Sequence, residues 1–407
     1  MNLFARMGCR IYQGAFRLVT PLLPWREPEL LQGEGSVDRL PQLIKSKGVT
    51  KVLIVTDKGL VGTGLVAKLT ESFDKGGIKY CLFDETVANP TINNIESALK
   101  LYKSESCNGI VAIGGGSPMD CAKGVGARVV KPNKQIPKMK GLLKVGKELP
   151  TMFAIPTTSG TGSETTIAAV ITNSDTHEKY ALNDPHLIPR YAVLDPMLTV
   201  GLPKHITSTT GIDALTHAVE AYIGHSTTKN TRKMSEMAVK LIFENLKKAY
   251  DDGQDRVARS NMQLASYYAG VAFTRSYVGY VHAIAHTLGG FYNLPHGLAN
   301  AIILPYLLDY YGDTATRPLA RLADIIGIKG DSEKEKANKF IQAIKELNAS
   351  MDIPKVVACI EEKDIPLMSQ RANSEGNPLY PVPKEMNRRE LAKMYYTIQG
   401  KEPPKEL

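Results

Sequence analysis

The 407-residue chain is expected to fold as an α/β N-terminal domain built on a parallel sheet, followed by an all-α helical C-terminal domain. Three observations lead there. Short continuous apolar runs alternate with helical stretches between Lys51 and Leu194, the pattern of parallel strands buried on both faces. After Pro203 a 3.6-residue periodicity takes over, with few strand-like runs. A chain of this length also exceeds what one ordinary core holds, so two domains are the natural division.

Taken in order, residues 1–25 place Arg6, Arg10 and Arg17 among Leu3, Phe4, Met7, Ile11, Tyr12, Phe16 and Leu18, ahead of Pro21 and Pro24. This basic amphipathic pattern fits an arm docked on its own domain or on a partner subunit; a helix lying on a membrane surface is the second reading. Val52–Thr56 is a β-branched strand ending at Asp57, and Val66–Phe73 is helical. Tyr80–Phe83 is a second strand, Ile92–Tyr102 a helix, and Gly109–Ile113 a third strand opening into a glycine turn and another helix. Met152–Ile155 and Tyr191–Leu194 add two strands, and the lysine-rich stretch 131–147 reads as a solvated loop. Helices are then expected over 214–222, 233–250, 256–273, 282–289, 300–310, 316–326 and 332–347. The divisions are an arm at 1–27, the α/β domain at 28–203 and the helical domain at 204–407, with a ligand crevice in the cleft between the last two.

Composition narrows the function. Hydrophobic residues at 43% and charged residues at 22% are those of a globular chain. A net charge of +9 attracts anions without specifying nucleic acid, and no zinc-finger, RNP-like or basic-region pattern appears. Five scattered cysteines, Cys9, Cys81, Cys107, Cys121 and Cys359, fit free thiols in a reducing cytoplasm. No run reaches the roughly 18 apolar residues of a transmembrane helix, and no signal-peptide pattern opens the chain.

Two constellations carry chemistry. In Gly211-Ile-Asp213-Ala-Leu-Thr-His217 a four-residue step puts a carboxylate and an imidazole on one helix face. His282 and His296 bracket a second segment containing His286. Asp213, His217, His282 and His296 are together a donor set for a divalent cation such as Fe²⁺ or Zn²⁺, with room for a substrate oxygen. The other constellation is Gly114-Gly115-Gly116-Ser117-Pro118-Met-Asp120, a strand-to-helix turn whose glycines let backbone approach a pyrophosphate at a helix N-terminus. Pro118 suits a first helical turn. In Pro156-Thr-Thr-Ser-Gly-Thr-Gly-Ser-Glu164, the hydroxyls of Thr157, Thr158 and Thr161 are placed to donate to phosphate or ribose. The competing reading is a capping box, with Thr161 as cap and Glu164 three residues on. The glycines at 59, 62 and 64 do not have the spacing of an ordinary dinucleotide fingerprint and read as a helix start.

With Gly33-Glu-Gly-Ser36 and Asn89-Pro-Thr91 added, these motifs, in order and with their gaps, resemble the iron-containing (group III) alcohol dehydrogenases from about Gly33 onward. The resemblance implies a dinucleotide-binding α/β domain, a helical metal-binding domain, and NAD(P)(H)-linked interconversion of a small primary alcohol or diol and its carbonyl. It implies Asp213, His217, His282 and His296 as metal ligands. Asp57 would meet the adenosine ribose, and Asn89, Gly114, Gly115, Gly116, Ser117, Pro118, Asp120, Thr157, Thr158, Thr161 and Lys179 would form the cofactor site. His286 would sit near nicotinamide and substrate as a proton shuttle, an imidazole being the side chain that titrates near neutrality; packing behind His282 is its other role. His177, His186, His205 and His225 read as surface or structural. Fe²⁺ is expected with Zn²⁺ as the alternative, NAD(H) ahead of NADP(H), and a cytoplasmic homodimer. Departures at Arg275-Ser-Tyr277 and Asn373 leave the substrate open. A zinc-type polyol dehydrogenase of the same fold and a non-catalytic metal-stabilised scaffold are the rival readings.

Overall fold

The computed structural model describes residues 3–19, 22–174 and 178–405. Two compact units emerge, residues 23–202 and residues 203–407 with 1–22.

The first unit is built on a six-stranded parallel sheet. Its strands are β1 (Glu29–Gln32), β2 (Lys51–Val55), β3 (Lys79–Phe83), β4 (Gly109–Gly114), β6 (Thr151–Pro156) and β9 (Tyr191–Leu194), in the order β1-β9-β6-β4-β2-β3. The apolar runs are continuous because alternate residues enter different cores. On β2, Leu53 and Val55 join one core while Val52 and Ile54 join the other; on β4, Ile110 and Ala112 oppose Val111 and Ile113. One core is closed by α5 (Ile92–Ser104) and α6 (Gly116–Val130), the other by α2 (Ser36–Ser46) and α4 (Leu65–Gly76). Chain leaving β2 passes through α3 (Lys58–Gly62) and α4 toward β3, whereas chain leaving β4 enters α6 on the opposite face. The carboxyl ends of β2 and β4 thus flank a switch point, where open α/β sheets bind ligands.

A smaller sheet was not foreseen. It joins β5 (Gly141–Leu142) to β8 (Glu178–Asn183), which pairs antiparallel with β7 (Ala168–Asn173). The stretch 131–147 is accordingly not a free loop, because Ile136, Met139 and Val145 are buried in the adjoining core.

The second unit is helical throughout its described residues. Its centre is α7 (Lys204–Ile223), buried almost all round from Gly211 to Ile223. Packed with it are α8 (Lys229–Asp251), α9 (Arg256–Ser276), α10 (Tyr280–Tyr292) and α11 (His296–Tyr311). The layer is completed by α12 (Thr316–Ile325), α13 (Glu333–Ser350), α14 (Ile365–Gly376) and α15 (Arg388–Gln399). The last two went unread in the sequence.

The N-terminal helix α1 (Leu3–Val19) docks on this unit through polar contacts. Arg10 donates to the carbonyls of Val382 at 3.0 Å and Pro383 at 3.2 Å and pairs with Glu385 at 2.5 Å. Gln13 donates to those of Pro378 and Tyr380. His177 lies outside the described residues, and His186 is held by Asp184 at 2.6 Å.

Candidate active site

In the first unit the glycine turn ends β4 and starts α6. Gly114 adopts φ +145°, and a Cβ there would lie 2.7 Å from the Pro118 ring, so a side chain is excluded twice over. Helix α6 begins at Gly116, presenting its unbonded N–H groups at the turn. The hydroxyl-rich turn is brought beside it. Thr157 N donates to Gly114 O at 3.0 Å, and the open sides of Gly115 and Gly116 face Thr158 and Thr161. Asn89 N donates to Ser117 Oγ, and Lys179 Nζ donates to Asn89 Oδ1 at 2.6 Å, linking three further sequence-identified residues.

Asp57 follows β2 and caps α3 through Oδ1, which accepts Leu60 N at 2.9 Å. It lines a cavity of about 530 Å³ that also contains Gly115, Gly116 and Ser117. Asp84 and Glu85, which the sequence reading passed over, line the same cavity.

Asp120 faces inward: Oδ1 accepts from Ser163 Oγ and Oδ2 from Val170 N, tying α6 to the segment after the hydroxyl turn. Lys123, one turn on and fully buried, donates to Ser163 Oγ, Thr166 Oγ1 and the carbonyls of Thr166 and Ala168. Burial lowers its amine to about 8 and raises the Glu164 carboxyl to about 7. The capping box at 161–164 does not form. Gly162 turns at φ +58°, only a three-residue 3₁₀ turn follows (Ser163–Thr165), and the chain then enters β7.

In the second unit α7 carries Asp213 and His217 on one face, and α10 brings His282 against them. One donor atom from each of these three buried residues lies within 4.8 Å of the others. The imidazoles of His217 and His282 stack at 4.5 Å, with Phe273 stacked against His217 at 4.1 Å. His296 opens α11 beside this group, its Nε2 3.6 Å from Asp213 Oδ1, and is more exposed. Close approach of α11 to α7 depends on Gly297, where a Cβ would stand 2.5 Å from the Thr209 carbonyl oxygen.

Three supporting residues were missed. Glu220, seven residues after Asp213 and so on its face of α7, accepts Gly279 N at 2.8 Å and Val281 N at 2.9 Å. It also holds His282 Nδ1 at 2.6 Å. Asn300, one turn after His296, donates to Asp213 Oδ1 at 2.6 Å and lies 3.1 Å from His296 Nε2. Glu375 on α14 holds His286 Nδ1 at 2.6 Å and accepts from Tyr380 OH at 2.7 Å.

This donor set fits a divalent cation. With Nδ1 turned to Glu220, His282 Nε2 is buried without a hydrogen-bond partner and lies 3.9 Å from Asp213 Oδ1. Burial raises the carboxyls of Asp213 and Glu220, the latter to about 8, and drives His282 well down. A neutral His282 imidazole beside buried carboxylates short of a counter-charge is what a cation completes, and the carboxylate behind His282 is the usual outer support of such a ligand. For Glu375 burial works upward, but the charge and hydrogen bond of His286 and the Tyr380 hydroxyl hold it below the ordinary range.

Known proteins agree with this geometry. Residues 28–196 match the family described as iron-containing alcohol dehydrogenase, and residues 207–398 match the C-terminal domain of the Fe-containing alcohol dehydrogenase family. Lactaldehyde reductase of Escherichia coli K12 is 36% identical over 374 residues, 90% of this chain and 96% of that protein. NAD-dependent methanol dehydrogenase of Bacillus methanolicus is 36% identical over 349 residues, 85% of this chain and 91% of its own. A crystal structure of 1,3-propanediol oxidoreductase superposes with a TM-score of 0.88 at 35% identity, covering 92% of this chain and 98% of that one. Both halves of the sequence, the parallel sheet with its glycine turn and the helical unit with its buried Asp-His group, therefore place this chain in the iron-containing alcohol dehydrogenase family.

Proposed function

We propose that the chain interconverts a small primary alcohol or diol and its carbonyl, using NAD(H) and an Fe²⁺ held by Asp213, His217, His282 and His296. The observation that carries this reading is the buried meeting of Asp213, His217 and His282 donor atoms within 4.8 Å. When bound, the cation supplies Lewis acidity at the substrate oxygen and the dinucleotide supplies the hydride acceptor or donor. The chain's own residues do the rest. Asp213 is the one anionic donor among neutral imidazoles, which keeps a divalent site net positive. Gly115, Gly116 and Ser117 at the start of α6 bind pyrophosphate, and Thr157, Thr158 and Thr161 stand beside them to donate hydroxyls. Lys179 orients Asn89 at the same turn.

His286 moves the proton. Glu375 fixes Nδ1, so Nε2 is the nitrogen that exchanges a proton with the substrate hydroxyl. His286→Ala is expected to retain stoichiometric iron while turnover falls on the order of a hundredfold and the pH–rate profile changes. Loss of iron in this variant would place His286 among the ligands instead.

Cofactor preference follows from charge. Asp57, Asp84 and Glu85 line the nucleotide cavity against Lys58, which disfavours a 2′-phosphate. Asp57→Gly removes both the charge and the α3 cap, whereas Asp57→Asn removes the charge and keeps the cap. A like-charge pair near 4 Å costs about 4 kcal/mol at an effective dielectric of about 20, and solvent in an open cavity reduces this. Each variant is therefore expected to move the NADPH/NADH ratio of kcat/KM toward NADPH on the order of tenfold. An unmoved ratio, or a wild type preferring NADPH, contradicts the assignment.

A cytoplasmic homodimer is the setting we propose. Five unpaired cysteines support the compartment, and the dimer rests on the family resemblance and is checked by light scattering. The reading as a whole is tested by stripping metal, restoring Fe²⁺ or Zn²⁺, and following NADH oxidation over small aldehydes and hydroxyaldehydes. Turnover restored by Fe²⁺ is expected; metal uptake without oxidation of NADH by any carbonyl would contradict it.

A further inference from the structure

Away from the metal donors, two thiols face each other. Cys81 lies on β3, the edge strand of the sheet, paired in register with Leu53. Cys107 lies in the short connection between α5 and β4, its N–H bonded to Tyr102 O at 3.0 Å. Their Sγ atoms are 3.3 Å apart. A disulfide requires about 2.05 Å, so closure needs little more than an ångström of movement from an edge strand and a four-residue connection. The two differ in access, Cys81 being half-buried and Cys107 buried.

We propose that Cys81 and Cys107 are a reversible redox pair, in which Cys81 attacks a small peroxide and Cys107 resolves the product to an intramolecular disulfide. The Cys81 thiolate bonds to one peroxide oxygen, the O–O bond breaks, and hydroxide leaves, taking up the thiol proton to become water. Cys81 is then a sulfenic acid. Cys107 Sγ attacks that sulfur, the S–O bond breaks, and a second water leaves. Two thiols are oxidised to one disulfide while the peroxide is reduced to two waters.

Surroundings agree with the order of attack. The hydrogen bond from Cys107 lowers the Cys81 thiol against the opposing effect of burial, and the Lys51 ammonium lowers it further; Glu105, ion-paired to Lys51 at 2.5 Å, works the other way. The bond to Cys81 and burial both raise Cys107. The ring closed by the disulfide contains Asp84 and Glu85, which line the nucleotide cavity. Oxidation at this pair therefore bridges the two ends of the segment that carries that loop.

The test treats the intact holoenzyme with stoichiometric hydrogen peroxide, alkylates remaining thiols and maps peptides without reduction. The expected product joins the Cys81 and Cys107 peptides and is reversed by dithiothreitol. Cys107→Ser should leave a Cys81 sulfenic acid that dimedone traps and that advances to sulfinic acid beyond the reach of dithiothreitol; Cys81→Ser should leave Cys107 unmodified. The proposal is overturned if the wild type keeps both thiols alkylatable while exposed Cys359 is oxidised. It is equally overturned if Cys107→Ser shows no more irreversible oxidation of Cys81 than the wild type.

Discussion

His282→Ala is expected to abolish metal binding while the chain still folds, with kcat/KM falling on the order of a thousandfold or more. His282 projects from α10 into the group formed with Asp213 and His217, whereas its neighbours Ala283, Ile284 and Ala285 hold the helix in the apolar core. Removing the imidazole takes away one donor and leaves the helix packing in place. The magnitude follows from the several kcal/mol that a catalytic cation contributes at a developing oxygen charge, each 1.36 kcal/mol being about tenfold in rate. Metal content after dialysis, circular dichroism and turnover check the three parts separately. A folded variant with stoichiometric metal and normal turnover would remove His282 from the site.

The second large effect is expected at Glu220, which touches no substrate. Glu220→Gln should weaken metal binding about 10- to 100-fold, the usual consequence of losing a carboxylate behind a ligand imidazole. With its one oxygen in the Oε1 position the amide still accepts from Val281 N, but its NH₂ then takes the Oε2 position and confronts both the Gly279 N–H and His282 Nδ1. To accept from it, the imidazole must carry its proton on Nε2, the nitrogen that faces Asp213. The lone pair a cation requires is thereby occupied. Competition against a graded chelator measures the loss directly, without recourse to turnover, and Glu220→Asp should recover part of it. Unchanged chelator competition in the glutamine variant would mean that Glu220 serves packing alone.

These two residues illustrate what was legible in the chain and what was not. His282 announces itself, because a histidine-rich helical segment downstream of Asp213 and His217 has few other uses. Glu220 lies three residues beyond the Gly211–His217 motif, at the seven-residue step that returns to the Asp213 face, yet a glutamate in a helix ordinarily reads as a solvated position. Here α7 is central to its unit, so the position is buried and must be hydrogen-bonded. Asn300 carried a similar signal, the four-residue step from His296. Glu375 carried none, since nothing local ties it to a histidine 89 residues away.

In the first unit the doubly buried strands were readable because both faces select apolar residues. By contrast, β1 and the β7–β8 hairpin were missed because their exposed and half-buried positions break the run. The competing capping box at 161–164 does not form because Gly162 turns the chain toward a strand, which local spacing cannot reveal.

One cation is expected to join α7, α10 and α11 at Asp213, His217, His282 and His296. The most direct test is an anomalous difference map at the iron edge from crystals loaded with Fe²⁺ under anaerobic conditions. A single strong peak is expected about 2.0–2.2 Å from the Asp213 carboxylate and from one nitrogen of each of the three histidines. A peak elsewhere in the chain, or none at this position in crystals shown to contain iron, would contradict the assignment.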